Sequence, residues 1–300
     1  MRIVLHTQGV KICQRTSDCK ETIRMHRGGD LIKSSYGRKK SLLVIAALVS
    51  TKCSIVHAQQ SVDDLSKAAA NPLAPVISVP ITQDFNFQGG DRSNSFSYLA
   101  NIEPVIPFQL DDQWNLITRL IVPIAYNNYT PDKSTAGLGD INASFFLSPA
   151  QPGAGGVLWG IGPALLVPTA TNSSLGTGQW GAGPTGVALV QKNGWTAGAL
   201  VSHVWSLSSK HDREGFSVSQ IEPFLSYDFG GGRSLNLTVE STYDWKHENW
   251  TVPVNLSASK VFNIGNQAMS FEIGGKYYAE APRGSPKWGI RTGITFFFPE

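Results

Sequence analysis

Between residues 76 and 298 the chain alternates apolar and polar positions in segment after segment. The clearest runs Leu235-Asn236-Leu237-Thr238-Val239-Glu240-Ser241-Thr242-Tyr243-Asp244-Trp245, apolar at odd positions except Ser241 and polar or charged at even ones. Successive side chains of a strand point to opposite faces, so such a segment shows grease to one side and water to the other. The pattern predicts about twelve strands, over 76–90, 93–109, 113–127, 138–149, 156–169, 179–191, 195–207, 217–229, 234–246, 251–262, 268–280 and 286–298. Connections after even-numbered strands are mostly tight, as at Lys192-Asn193-Gly194 and Gly230-Gly231-Gly232-Arg233, with 150–155 the exception. Those after odd-numbered strands are often longer, as at 128–137, 170–178 and 208–216. An even strand count with this asymmetry is the pattern of an outer-membrane barrel whose ends both lie in the periplasm. The tryptophans fall mostly near predicted strand ends, where aromatic girdles form. Ahead of the first strand, Asp63 to Asn71 reads as a short helix ended by Pro72, either a partial plug in the barrel mouth or a loose periplasmic tail.

Export changes how the composition is read. Gly37-Arg38-Lys39-Lys40, the apolar run Leu42 to Val49, and Val56-His57-Ala58 before Gln59 have the three parts of a secretory signal, cleaved after about Ala58. The apolar run is too short to cross a bilayer as a helix. Lys52 ahead of Cys53 argues against a lipid anchor, and Met25 offers an alternative start. The chain thus divides into a leader (1–58), an N-terminal periplasmic segment or plug helix (59–75) and a barrel (76–300). Residues 1–58 hold 11 of the 25 Lys and Arg and 3 of the 22 Asp and Glu, which leaves 14 against 19, a net charge of −5. Nothing in that remainder points to nucleic acid. Cys13, Cys19 and Cys53 also leave with the leader, so the mature chain offers no disulfide, thiol nucleophile or thiolate metal site. No cofactor is expected.

No charged residue occurs from Ile141 to Gln191, yet Pro149, Pro152, Pro163, Pro168 and Pro184 interrupt the run. Proline removes a helical hydrogen bond and clashes with the preceding turn, so no apolar helix of roughly 20 residues survives. A closed barrel is then the structure that satisfies every backbone group in lipid. A soluble secreted sandwich also alternates, but its outward faces are polar. The fold class expected is an all-β antiparallel transmembrane barrel with a short N-terminal helix.

Alternation assigns the inner face. Charge on the lipid face costs about 2–4 kcal/mol for Arg or Lys near the midplane, so the ionisable strand residues belong inside. The expected pore-lining set is Glu103, Asp140, Glu222, Asp228, Glu240, Asp244, Glu272 and Glu280, with Arg119, Lys276 and Arg291 as the cations. Two roles are open to it. An acidic lumen favours cations or polar solutes through its field, or the three cations pair with carboxylates and hold the strands together. Leu99, Ile117, Ile121, Phe146 and Phe224 also fall on the inner face and leave room for a hydrophobic solute.

The ordered segments Asn101-Ile102-Glu103-Pro104-Val105-Ile106-Pro107-Phe108, Gly137-Leu138-Gly139-Asp140-Ile141, Trp159-Gly160-Ile161-Gly162-Pro163 and Pro168-Thr169-Ala170-Thr171 carry a resemblance. So do Pro223-Phe224-Leu225-Ser226-Tyr227, Trp250-Thr251-Val252-Pro253-Val254-Asn255 and Tyr277-Tyr278-Ala279-Glu280. Together they resemble the outer-membrane barrel family named for the meta-pathway of phenol degradation, whose members are often labelled "transporter" or "neuromedin U". The resemblance implies an outer-membrane channel taking up aromatic or other hydrophobic molecules. One departure is the chain end, Phe296-Phe297-Phe298-Pro299-Glu300, which sets the aromatic residue of the barrel-assembly signal back by two positions.

Enzyme motifs are thin. Some membrane barrels hydrolyse lipids with a His and a Ser on the outer surface. Here Trp205 stands two residues after His203, and Ser202 and Ser206 fall on the opposite face. A serine from another strand is the remaining route. His247-Glu248-Asn249-Trp250-Thr251 begins like a zinc helix but has Thr251 where the second His is needed. The expectation is a passive outer-membrane channel or transporter for small molecules, hydrophobic or aromatic ones included, and no enzyme. Its partners are outer-membrane lipid, the solute and the barrel-assembly machinery. The alternatives are a closed structural barrel and a lipid-modifying barrel enzyme.

Overall fold

The computed structural model describes residues 61–89, 95–130, 133–207 and 214–298. The signal segment, Met25, Cys53 and the last two residues lie outside them. The described residues form one closed antiparallel barrel of twelve strands preceded by one helix. The helix, α1, spans Val62–Ala69, and β1 spans Ile77–Gly89. β2 runs through Ser95–Ile102 and Val105–Gln109, β3 is Trp114–Thr130, and β4 joins Lys133–Leu138 to Ile141–Pro149. β5 is Val157–Val167, β6 Gly181–Lys192, β7 Trp195–Ser206 and β8 Ser217–Asp228. β9 joins Arg233–Val239 to Ser241–Asp244, and β10, β11 and β12 are Asn249–Ile264, Gln267–Glu280 and Trp288–Phe298. Each strand pairs with its neighbours in sequence, and β12 pairs with β1 from Ile77↔Phe298 to Phe87↔Trp288, which closes the cylinder and leaves no edge.

Every strand read from alternation is present. The largest difference is β3 and β4, which run on to Thr130 and back from Lys133 where a loop over 128–137 is expected. Residues there include Asn127, Asn128, Ser134 and Thr135, so neither face is apolar and the period-two signal disappears although the ladder continues.

The outside is apolar, with Ile161 59%, Leu256 52% and Ile273 52% exposed. Aromatic contacts gather at both ends of the strands. Trp114 meets Trp159, and Trp195 meets Tyr227, at the end with the short turns. Phe87 meets Phe96 and Trp288, and Tyr243 meets Trp245 and Trp250, at the end with the long loops. Two such girdles bound the hydrocarbon layer. Asn193 (φ 53°) and Gly194 (φ 82°) link β6 to β7, the pair of left-handed residues a two-residue type I′ hairpin needs.

α1 begins at Ser61, whose hydroxyl oxygen accepts from the Asp64 N–H at 3.1 Å, and Asp63 and Asp64 complement the helix dipole. Its buried face sets Leu65 against Val261, Ala268 and Phe297 on the inner wall of β10 to β12. The Gly232 N–H in the β8–β9 turn donates to Asp63 Oδ1 at 2.8 Å. Gln191, beside the β6–β7 turn, donates to the Lys67 carbonyl at 2.9 Å. The helix therefore bridges two turns at the short-turn end of the barrel. The chain then crosses inward, and Leu73 is buried among Ile117, Phe146, Val187, Leu189 and Leu200 on β3, β4, β6 and β7.

Candidate functional site: a two-walled lumen

Above the N-terminal segment lies a cavity of about 560 Å³. Most of its charged lining comes from β1, β2, β3, β9, β11 and β12. Arg291 reaches Asp84 twice, Nε donating to Oδ1 at 2.7 Å and Nη2 to Oδ2 at 2.8 Å. The same guanidinium donates to Glu240 Oε1 at 2.5 Å and Oε2 at 3.1 Å. Lys276 donates to the second oxygen of Asp84 and lies 3.5 Å from Glu240. Asp84, Lys276 and Arg291 are 2%, 6% and 9% exposed, so this four-residue knot is dry enough for its Coulomb terms to matter. Arg119 donates to Glu103 at 2.8 Å in a second pair. Planar guanidinium forks hold two carboxylates at fixed angles, which a lysine does not do.

Apolar side chains are interleaved with these charges: Leu99 pairs with Asp84 and Val105 with Arg119 in the strand register, and Ile121, Leu200 and Phe224 also face the cavity. Glu222 is opposite Leu200 in the β7–β8 register and two residues from Phe224. Among the described residues neither Glu222 nor Glu272 has a cation within 4.0 Å, and Gln220 donates to Glu222 at 3.3 Å. The cavity carries Asp84, Glu103, Glu222, Glu240 and Glu272 against Arg119, Lys276 and Arg291, an excess of two carboxylates.

Of the residues expected in the pore, Glu103, Arg119, Glu222, Glu240, Glu272, Lys276 and Arg291 face this cavity. Asp140, Asp228, Asp244 and Glu280 lie away from this cavity, because alternation fixes the face of a strand but not the height along it. Asp140 lies at the kink of β4 and accepts from the Ala170 N–H (3.1 Å), the Thr177 N–H (2.6 Å) and the Thr177 hydroxyl (2.8 Å), pinning the loop over 168–180. Asp228 takes the Gly230 N–H in a tight turn. Asp244 accepts from His247 in the outer loop, and that partner holds the His247 imidazole protonated above its ordinary range. Glu280 is exposed at the outer end of β11. Ile117 and Phe146, expected to line an open lumen, are instead covered by Leu73.

Asp84 was legible in the even-numbered row Ser78, Pro80, Thr82, Asp84, Asn86, but its partners lie 192 and 207 residues away and meet it only when the barrel closes.

The wall itself is uneven. Pro163 on β5 pairs directly with Pro184 on β6. On one side the ladder passes from Ser144↔Ala164 to Leu147↔Ile161, and on the other from Ala182↔Trp205 to Thr185↔Ser202, with rungs skipped next to each proline. Proline has no N–H to donate, and rungs are missing in the two seams that flank the pair, β4–β5 and β6–β7. An apolar depression lined by Leu116, Phe145, Leu147, Ile161, Pro163 and Pro184 marks the place on the lipid side.

No protein-family model matches the sequence, and no curated protein matches it. Among solved structures, the chain is similar to the COG4313 outer membrane channel from Pseudomonas putida F1, at 15% identity and a TM-score of 0.58 over 74% of this chain and 96% of that one. The beta domain of the Bordetella autotransporter BrkA overlaps at 11% identity and a TM-score of 0.42, over 74% of this chain and all (100%) of that one. A Pseudomonas aeruginosa FadL homologue overlaps at 9% and 0.36, over 76% and 92%. The first of these likenesses places the fold: a closed twelve-stranded barrel of the outer-membrane type.

Proposed function

We propose that this chain is an outer-membrane channel through which small molecules diffuse passively, with amphipathic and aromatic solutes favoured. The observation that carries the reading is a cavity lined by both apolar and charged side chains inside a barrel whose exterior is lipid-compatible. A solute with an apolar body and a polar end finds a partner for each part, as in most small-molecule sites. The likeness to an outer membrane channel agrees with it. α1 and the segment through Leu73 narrow the short-turn mouth, so passage requires their displacement or a way around them. The proline-thinned seams flanking Pro163 and Pro184 give a second exit, sideways into lipid, for the most apolar solutes.

A closed structural barrel is the competing reading, favoured by the dry Asp84–Lys276–Arg291–Glu240 knot and by Leu73 filling the other half. Liposome swelling separates the two. Proteoliposomes carrying the channel admit uncharged solutes of graded size and polarity, faster for aromatic alcohols than for sugars of equal mass. Swelling no faster than empty liposomes for every solute would leave the structural barrel.

A further inference from the structure

Away from the lumen, the outer surface carries a second chemical site. His203 on β7 faces lipid, in register with Ser219 on β8. His203 Nδ1 lies 2.8 Å from Ser219 Oγ, and Nε2 lies 3.3 Å from Ser217 Oγ. The indole N–H of Trp245, just past β9, donates to Ser219 Oγ at 2.9 Å. An indole nitrogen is a donor only, and a hydroxyl carries one hydrogen. Ser219 Oγ accepts from Trp245 through one lone pair, and its single hydrogen is free to point at His203 Nδ1. With the ring hydrogen on Nε2, facing Ser217, Nδ1 is the acceptor for it. In that tautomer the donor order runs Trp245 to Ser219 to His203 to Ser217, which is how a serine nucleophile is joined to its base.

Position supplies an independent argument. The His203 ring lies 5.5 Å from Trp205 and 6.3 Å from Trp245, inside the aromatic girdle at the long-loop end. Tryptophan belts sit at the membrane–water interface, and the ester linkages of lipid acyl chains lie at that depth. A hydrogen-bonded Ser–His pair is costly in hydrocarbon and useless to a channel's lumen, yet it stands where an acyl ester would meet it.

We infer that Ser219 and His203 form a lipid-facing acyl-transfer site for ester-linked acyl chains of the outer leaflet. Ser219 Oγ attacks the ester carbonyl as its proton passes to His203 Nδ1. The C–O bond to the lipid alcohol breaks, and that alkoxide takes the proton from His203. Water then cleaves the acyl-serine with His203 as base again, releasing a fatty acid and regenerating the hydroxyl. The Trp245 N–H orients Ser219 Oγ through its 2.9 Å hydrogen bond. Ser217 is a positioning residue that meets His203 Nε2 from the other side of the ring. The sequence hid the pair because its members are 16 residues apart and meet only through strand register.

The test uses the full chain extracted in mild detergent and a fluorophosphonate bearing an alkyl chain. Labelling at Ser219 is expected, abolished in Ser219→Ala and slowed by about a hundredfold in His203→Ala, as loss of a general base implies. Heat-modifiable gel mobility verifies that each variant is folded, and Ser219→Thr replaces any that is not. Fatty-acid release is then followed from phosphatidylethanolamine vesicles and from vesicles containing lipopolysaccharide, whose separate yields identify the acyl source. Labelling elsewhere, equal labelling of His203→Ala, or no fatty acid from either vesicle overturns the inference. None of these outcomes touches the channel reading, whose assay is solute entry.

Discussion

The two walls of the lumen solve the same problem with opposite chemistry. On β1, β11 and β12 the inward row is polar or charged, satisfied across the strands by the Asp84 knot, and the ladders between these strands run unbroken from Ile77↔Phe298 to Phe87↔Trp288 and from Ala268↔Phe297 to Tyr277↔Trp288. On β4, β5 and β6 the inward row holds Phe146, Gly160, Ala164, Val187 and Leu189, and the ladders skip rungs around Pro163 and Pro184. The uncharged run from Ile141 to Gln191 is this second wall: it is apolar outward toward lipid, and inward it sets Phe146, Val187 and Leu189 against Leu73 alongside the buried but uncharged Ser148 and Thr185. A barrel needs grease outside, but what it places inside follows from what fills the lumen, and here the N-terminal segment fills one half.

The sharpest way to break this comparison is to unbalance the charged wall. Asp84→Asn strands two buried cations, and removing one partner of a buried pair costs about 3–5 kcal/mol. Denaturant unfolding in detergent micelles should register that loss, while Asp140→Asn, which loosens only an outer loop, should lose far less. Equal losses would mean the knot is not the frame of the barrel. Next comes the apolar wall: Leu73→Ala should cost about 2–4 kcal/mol, the range for deleting a buried leucine side chain, and should raise channel conductance by loosening the N-terminal segment.

A smaller effect sharpens the role of the spare carboxylates. One charge about 8 Å from an ion in a wet lumen acts with ~0.5 kcal/mol, of opposite sign on cation and anion, so Glu222→Gln should lower the cation-to-anion permeability ratio about fivefold. Reversal potentials in a salt gradient measure it, and an unchanged ratio would remove the field from the account. The smallest effect lies outside the membrane. Asp244 raises the His247 pKa, so this imidazole stays charged to higher pH than a free one. The contact therefore helps below the ordinary histidine range and fades as pH climbs through the raised value. Asp244→Asn should return the His247 titration, followed by NMR, to the ordinary range near 6.5.

How much of this was legible follows from which contacts are local. Strand count, polarity of ends and the inward face of Glu103, Glu222, Glu240 and Arg291 depend on alternation and turn length, both readable along the chain. The depth of Asp140, Asp228, Asp244 and Glu280 is not, because parity carries no height. Nor are contacts that need the barrel closed, such as Asp84 with Arg291, or two strands in register, such as His203 with Ser219. The N-terminal helix was recognisable from Asp63 and Pro72, but its docking depends on Gly232 and Gln191, far along the chain.

The central claim is that the lumen is a passage narrowed at one mouth by the segment from α1 to Leu73. The most direct measurement is planar-bilayer conductance under a salt gradient for residues 59–300, beside the same protein lacking 62–73. Discrete cation-preferring openings, larger and more frequent after the deletion, are predicted. Silence from both proteins, each shown to be folded by heat-modifiable mobility, would contradict the claim and leave a closed structural barrel.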